Sequence, residues 1–172
     1  MISDILDLNR IESGAVHPVR RTTGARELLE DAVERTRATT AERAITIVAE
    51  SELAVDTDES LVVQALVNLI ENAAKYSKPG GAIRLGSART PSGVELSVSD
   101  EGPGIAEGDL PHIFERFYRA SNQSKRVKGS GLGLAIVKGF VMLSGGTVRA
   151  DSSPNGTRFV ITLPAALEVG AA

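Results

Sequence analysis

Apolar residues recur at helical spacing in four stretches of the chain and alternate with polar ones in most of the rest. Ile2, Ile5, Leu6 and Leu8 mark a short helix over 2–13 that Gly14 stops. So short a helix is marginal alone, so it either docks on the rest of the domain or is the severed end of a longer element, and severed is the expectation. Leu28, Leu29, Ala32 and Val33 line one face of a helix over 25–39, and Val62, Leu66, Leu69, Ile70 and Ala73 do the same over 58–76. A fourth helix spans about 132–144, before the Gly145-Gly146 break. Alternation predicts strands over 16–21, 44–50, 53–55, 82–88, 94–100, 147–151 and 157–163. A polar stretch over 102–130 has neither period; a loop that long in a compact domain is usually a lid or a binding loop. From Pro164 onward the chain reads as a frayed tail.

Helices and strands are mixed without strict βαβ alternation, and several strands are neighbours in sequence. The predicted class is therefore α+β, a two-layer sandwich with helices on one face of a mixed, mostly antiparallel sheet. At 172 residues one domain accounts for the chain. Hydrophobic residues are 42%, charged residues 24% and aromatics 3%, so the core is aliphatic. Cysteine is absent, which excludes disulfides and Cys-ligated metal and leaves a cytoplasmic setting as the expectation. No apolar run approaches the roughly 20 residues that span a bilayer, so no membrane contact is expected. The net charge of −3 gives no electrostatic footprint for nucleic acid.

Three constellations point to chemistry. On the 58–76 helix, Asn68, Asn72 and Lys75 share a stripe more than a quarter-turn from the apolar face. Two Asn residues one turn apart are poor helix formers, and an Asn carbonyl is a hard oxygen ligand suited to Mg²⁺, with Lys75 adding charge for phosphates; a solvated polar stripe is the plain alternative. Next, Asp100-Glu-Gly-Pro-Gly-Ile105 follows a strand directly. A carboxylate there can accept from an exocyclic amino group, and the glycines let backbone approach a planar ring, though an ordinary Gly-Pro-Gly turn has the same composition. Third, Gly129-Ser-Gly-Leu-Gly133 opens the last helix, where backbone N–H groups and the helix dipole suit phosphate. Asp151 lies about 20 residues further on, as in a dinucleotide fingerprint, but that fingerprint's third glycine would fall at Leu134 and 121–128 cannot be a buried strand. The P-loop and eukaryotic protein kinase motifs are missing as well.

Taken together, in this order, the motifs resemble the ATP-binding domain of sensor histidine kinases, in the superfamily with gyrase, Hsp90 and MutL and their Bergerat fold. Asn68-Leu-Ile-Glu-Asn-Ala-Ala-Lys-Tyr76 is similar to the family's N box, Asp100-Glu-Gly-Pro-Gly104 to its G1 box, Ile113-Phe-Glu-Arg-Phe-Tyr-Arg119 to its F box, and Gly129-Ser-Gly-Leu-Gly133 to its G2 box. The resemblance covers 16–164 as the catalytic domain, leaving 1–15 as the end of the dimerisation and phosphoacceptor hairpin and 165–172 as a flexible tail. It implies ATP and Mg²⁺ as cofactors, with Asn72 on the metal, Asn68 supporting it, Lys75 and Tyr76 flanking the nucleotide, and Asp100 on the adenine amino group beside Ile105. Gly102, Gly104, Gly131 and Gly133 would allow close backbone approach, with Gly129 and Leu132 in the same turn. About 106–128, ending in Lys128, would be an ATP lid, with Phe114 and Phe117 anchoring its hinge and Arg116 or Arg119 reaching phosphate. The Glu-Asn-Ala-Ala-Lys-Tyr run leans toward KdpD-like kinases.

Two departures sharpen what the resemblance implies. ATP-hydrolysing relatives carry a Glu base one turn before the metal-ligating Asn; here Asn68 stands there, and a carboxamide cannot take a proton. Glu71 points about 60° off that stripe and is not nominated. Slow hydrolysis at most, with transfer to an external nucleophile, is implied; a free-standing ATPase or a nucleotide-free interaction module are the rivals. The phosphoacceptor histidine is also missing: His17 in Val-His-Pro-Val and His112 before the F box read as surface residues. The implied partners are therefore a dimerisation and phosphoacceptor domain outside this chain and a response regulator, in a homodimeric parent for which an inner-membrane sensor is one form. Asn72→Asp and Gly131→Ala are each expected to weaken Mg-ATP binding without unfolding the domain.

Overall fold

The computed structural model describes residues 2–50, 52–121 and 129–166. Its elements run α1 (Ile2–Glu12), β1 (Arg21–Gly24), α2 (Ala25–Thr36), β2 (Ile45–Ala49), β3 (Ala54–Thr57), α3 (Glu59–Tyr76), β4 (Ile83–Thr90), β5 (Gly93–Ser99), α4 (Gly133–Leu143), β6 (Thr147–Ser153) and β7 (Gly156–Leu163). Five strands form one sheet in the order β2-β4-β5-β7-β6; β2 and β4 are parallel and every other neighbouring pair is antiparallel. Strands β1 and β3 make a separate antiparallel ribbon. The α+β sandwich expected from the pattern is the one observed.

Period-two alternation explains the layering. Ile83 and Leu85 on β4, Val94, Leu96 and Val98 on β5, and Phe159, Ile161 and Leu163 on β7 all point to one buried face, and the apolar stripes of α2, α3 and α4 cover it. The residues between them, Arg84, Glu95 and Arg158, sit on the far side of the sheet, less buried or exposed. Helix α3 starts where the Asp58 carboxylate caps the Leu61 N–H at 3.1 Å, and it stops at Ser77, whose backbone turns extended. The guanidinium of Arg43, from the α2–β2 loop, binds the carbonyls of Ala74, Ser77 and Lys78 and so holds the last turn of α3.

Two expectations are corrected. The first strand begins at Arg21, not at 16: Pro18 has no N–H to give, and the Val19 N–H is taken by the Asp58 side chain at 2.7 Å. The tail does not fray at Pro164, because the Pro164 carbonyl accepts from Asp56, Ala166 donates to Ala54, and Ala165 bridges Val55; residues 167–172 lie outside the described residues. Helix α1 packs by Leu8 and Ile11, with Ile5 and Leu6 exposed. It lies against α4 where Gly139 leaves a notch filled by Ile11. Among the described residues no helix is long and apolar enough to cross a membrane.

Candidate functional site

Helix α3 presents its polar stripe to a two-chambered cleft between itself, the 100–121 segment and the start of α4. The inner chamber, about 250 Å³, is walled by Asp100, Ile105, Ile113, Leu134, Thr157 and Phe159 together with Tyr76 and Ser77. The outer one, about 660 Å³, is walled by Asn68, Glu71, Arg119, Gly129, Gly131 and Gly133. Asn72, Lys75, Tyr76, Tyr118, Ile113 and Leu134 border both and form the neck between them. An apolar slot with one carboxylate therefore opens into a polar vestibule at a helix N-terminus.

Asp100 sits at the inner end. Its Oδ1 accepts from the Gly102 N–H at 2.7 Å, which explains a glycine two residues on: a Cβ there would press on that oxygen at 2.8 Å and on the Tyr76 carbonyl at 2.8 Å. Burial pushes the Asp100 carboxyl above its ordinary value, and the N–H groups of Gly102 and Thr157 offset part of this. The folded state thus keeps the proton to higher pH than the unfolded chain. Stability from this group is complete below the unfolded value and is lost as pH rises through the raised folded one. Relative to Asp100→Asn, which cannot titrate, the wild-type chain should lose stability as pH rises through that window; denaturant unfolding across the carboxylate range checks this, and a difference that is flat or of opposite slope contradicts it.

The turn after Asp100 is fixed by the β6–β7 hairpin. Gly104 takes φ +75°, and the Ile105 N–H donates to the Ser152 hydroxyl at 2.7 Å, which also lies 3.1 Å from the Thr157 hydroxyl. Residues 106–117 then form consecutive turns rather than a free loop. Asp109, nearly buried, ties them down: one carboxylate oxygen accepts from the Tyr118 hydroxyl at 2.7 Å and the other from both the N–H and the hydroxyl of Ser121 at 2.8 Å. These bonds hold the Asp109 carboxyl below its ordinary value and push the Tyr118 phenol up. Asp109 thereby aims Tyr118 into the neck. Nothing in a nine-residue spacing within an aperiodic segment announces that pair.

The sequence-predicted residues mostly converge. Asn68, Asn72, Lys75, Tyr76, Asp100, Gly104, Ile105, Gly129, Gly131 and Gly133 border the cleft, and Lys75 Nζ lies 5.1 Å from the Tyr76 ring centre. Six differ from expectation, the first being Gly102, which is buried behind Asp100 and borders neither chamber. Leu132 is buried in the core, so it supports the turn without facing a ligand. Phe114 fastens the 106–117 turns by an edge-on contact with Phe159, centroids 6.3 Å apart, but Phe117 is 70% exposed; it holds the turn through its backbone, donating to the Gly131 carbonyl at 2.9 Å from a strained φ of 60°. Arg116 is ion-paired with Glu12 of α1 and does not border the cleft, whereas Arg119 does. Glu71, set aside on angular grounds, does border the outer chamber, because that wall is wider than one helical stripe. Gly131→Ala is not a clean probe, since φ is +73° and a Cβ would meet the Phe117 backbone at 2.8 Å. Lys128 lies outside the described residues.

Gly133 is the clean probe instead. A Cβ there meets nothing within 4 Å, and the residue opens α4, where Ala is favoured over Gly. Gly133→Ala should keep or slightly raise the thermal midpoint and weaken triphosphate binding about tenfold, because the methyl would occupy space that an anion approaching the helix N-terminus needs. Unaltered affinity in a calorimetric titration would show that no phosphate comes there.

Among the described residues no three His, Cys, Asp or Glu cluster as metal ligands; the carboxamides bordering the outer chamber are those of Asn68 and Asn72 and the carboxylates those of Glu71 and Asp4, so a cation here would take one or two of these and complete its shell with water and ligand oxygens. That is the manner of Mg²⁺ accompanying phosphates.

Residues 57–167 match the family described as histidine kinase-, DNA gyrase B-, and HSP90-like ATPase. The chain is 39% identical to the signal transduction histidine-protein kinase/phosphatase MprB of Mycobacterium sp. strain KMS, over 95% of this chain and 32% of that protein. It is 35% identical to the sensor-like histidine kinase SenX3 of Mycobacterium bovis, over 98% of this chain and 42% of that protein. A full-length structure of ShkA in complex with AMPPNP superposes with a TM-score of 0.81 at 28% identity, covering 98% of this chain and 36% of that one. The KdpD-like lean has no counterpart among these relatives.

Proposed function

Because the chain belongs to the histidine kinase-, DNA gyrase B-, and HSP90-like ATPase family, as the catalytic and ATP-binding domain of a sensor histidine kinase, we propose that its cleft binds Mg-ATP for phosphoryl transfer to a histidine. The chain spans 32% and 42% of the two curated relatives, so the acceptor histidine, the dimerising domain and a response regulator belong to the proposal. The observation that carries it is the joining of an apolar slot ending in Asp100 to a vestibule at the α4 N-terminus through a neck bearing Asn72 and Lys75.

The adenine enters the slot between Ile105, Ile113 and Leu134, with its amino group on Asp100. The triphosphate passes Lys75 and reaches the glycine turn, where Arg119 adds charge. Asn72 supplies a carboxamide oxygen to Mg²⁺, and the bound ion would neutralise charge developing on the phosphoryl oxygens. Asn68 supports Asn72 from one turn away. Neither His17 nor His112 borders the cleft, and His112 is engaged with Glu115 at 2.7 Å, which supports an acceptor histidine other than these two.

Glu71 gives specific ground for a second reading, in which it activates water and the domain is an ATPase. The two separate in one assay on the longer protein carrying an upstream phosphoacceptor domain. Transfer gives acid-labile, base-stable phosphoprotein that Asn72→Ala abolishes and Glu71→Gln leaves intact. Phosphate release without phosphoprotein, abolished by Glu71→Gln, would establish the ATPase instead.

A further inference from the structure

The glycine turn at the α4 N-terminus already faces a carboxylate from the chain itself. Helix α1 lays one stripe on the domain, with Leu8 and Ile11 against the core and Ile11 in the notch that Gly139 leaves on α4. Its last turn is pinned by the pair between Glu12 and Arg116, and Arg116 precedes Phe117, whose N–H donates to the Gly131 carbonyl. The first turn of α1 thereby arrives at the outer chamber, where Asp4 borders the cavity and its Oδ2 accepts from the Ser130 hydroxyl at 3.0 Å. Ser130 in turn accepts from the Leu132 N–H at 3.3 Å, so a relay of donors runs from the start of α4 through Ser130 to the carboxylate.

A carboxylate in that place stands in for a phosphate. It is a negatively charged acceptor at the N-terminus of a helix, beside glycines whose N–H groups suit phosphate oxygens. A triphosphate reaching the Gly129–Gly133 turn would compete for the Ser130 donor and meet the Asp4 charge inside the same cavity. We infer that α1 is a displaceable occupant of the phosphate vestibule: docked, it sets Asp4 at the glycine turn, so that α1 docking and triphosphate binding oppose one another. This rests on the reading that phosphates come to that turn. The helix is lightly held, as a displaceable element must be. At 11 residues it is marginal alone, Ile5 and Leu6 are exposed, and its ion pair with Arg116 is open to solvent. By linkage the effect runs both ways: whatever loosens α1 raises the affinity for triphosphate, and triphosphate loosens α1.

The sign of one substitution separates this role from the alternative in which Asp4 helps to hold the cation. Asp4→Asn keeps an acceptor for Ser130 and removes the charge, while Ile11→Ala withdraws the side chain from the Gly139 notch at a residue that borders neither chamber. Mg-AMPPNP and adenosine are titrated into the wild-type chain and both variants, and amide hydrogen exchange over residues 4–12 of the wild type is followed with and without Mg-AMPPNP. The expected result is an affinity for Mg-AMPPNP about five- to twentyfold higher in each variant, an affinity for adenosine that does not change, and faster exchange over 4–12 once Mg-AMPPNP is bound. A lower or unaltered affinity for Mg-AMPPNP in either variant, an equal gain for adenosine, or exchange in α1 that Mg-AMPPNP slows or leaves as it was would each overturn the inference. A wild-type chain that binds neither ligand would refute the nucleotide reading itself and the inference with it, a failure visible before any variant is made.

Discussion

Asn72→Ala is expected to lower the affinity for Mg-ATP about a hundredfold while leaving the unfolding midpoint where it is. The side chain lies in the neck between the chambers, off the buried stripe formed by Leu66, Leu69, Ile70 and Ala73, so no core contact goes with it. Alanine is also the better helix former, which offsets whatever the carboxamide contributes to α3. What goes is an oxygen ligand, and loss even of groups that merely support a ligand typically costs 10–100-fold in metal affinity. The effect is therefore conditional: wild type and variant should bind ATP equally, and weakly, once Mg²⁺ is chelated. A variant that binds equally well with Mg²⁺ present, or a deficit that persists undiminished in chelator, would mean Asn72 serves some other purpose. Asn72→Asp separates charge from geometry, since it keeps an oxygen in place but sets a negative charge beside the triphosphate, and it too should weaken binding.

Gly104→Ala should do the most damage to the fold for the least change in mass. At φ +75° an L side chain is strained by about 1–3 kcal/mol, and the new Cβ would run into the carbonyl oxygen of Ser153, backbone against backbone, with no flexible side chain to give way. Relief requires parting the 100–105 turn from the β6–β7 hairpin, which strips the Ile105 N–H of its Ser152 partner. The expected result is a loss of about 3 kcal/mol or more and a fall in midpoint of about 6–12 °C for a domain of this size, with nucleotide binding lost alongside. Gly80→Ala is the matched control, because Gly80 has φ +72° and open space around its missing Cβ. It should show the strain alone, a few degrees, and leave binding intact. Equal midpoints for the two variants would locate the cost in φ and not in the contact with the hairpin.

The periodic parts of the chain were legible because one buried face imposes a period. The stripe Val62, Leu66, Leu69, Ile70, Ala73 is buried as its spacing requires, and the glycine turn at 129–133 opens a helix as its composition requires. The features that escaped have no period. The Asp109–Tyr118–Ser121 knot joins residues nine and twelve apart through side chains, and the return of 164–166 to β3 is a backbone contact across more than a hundred residues. Angular reasoning put Asn68 and Asn72 on one stripe, and both border the cleft, yet it passed over Glu71, because a wheel gives the direction of a side chain and not the width of the cavity it meets. Motif boxes likewise mark a neighbourhood and leave each side chain's direction open: within 113–119, Phe114 packs inward, Phe117 faces outward, and Arg116 turns to Glu12 while Arg119 turns to the cleft.

One continuous cleft should hold adenine at Asp100 and magnesium-bound phosphates at Asn72 and the glycine turn. Calorimetric titration of the chain with AMPPNP, in Mg²⁺ and again in chelator, tests this most directly. The expected result is a single site whose affinity is markedly higher with Mg²⁺ and falls in Asn72→Ala and Gly133→Ala; no heat in either condition, or a curve indifferent to Mg²⁺ and to both substitutions, would contradict it.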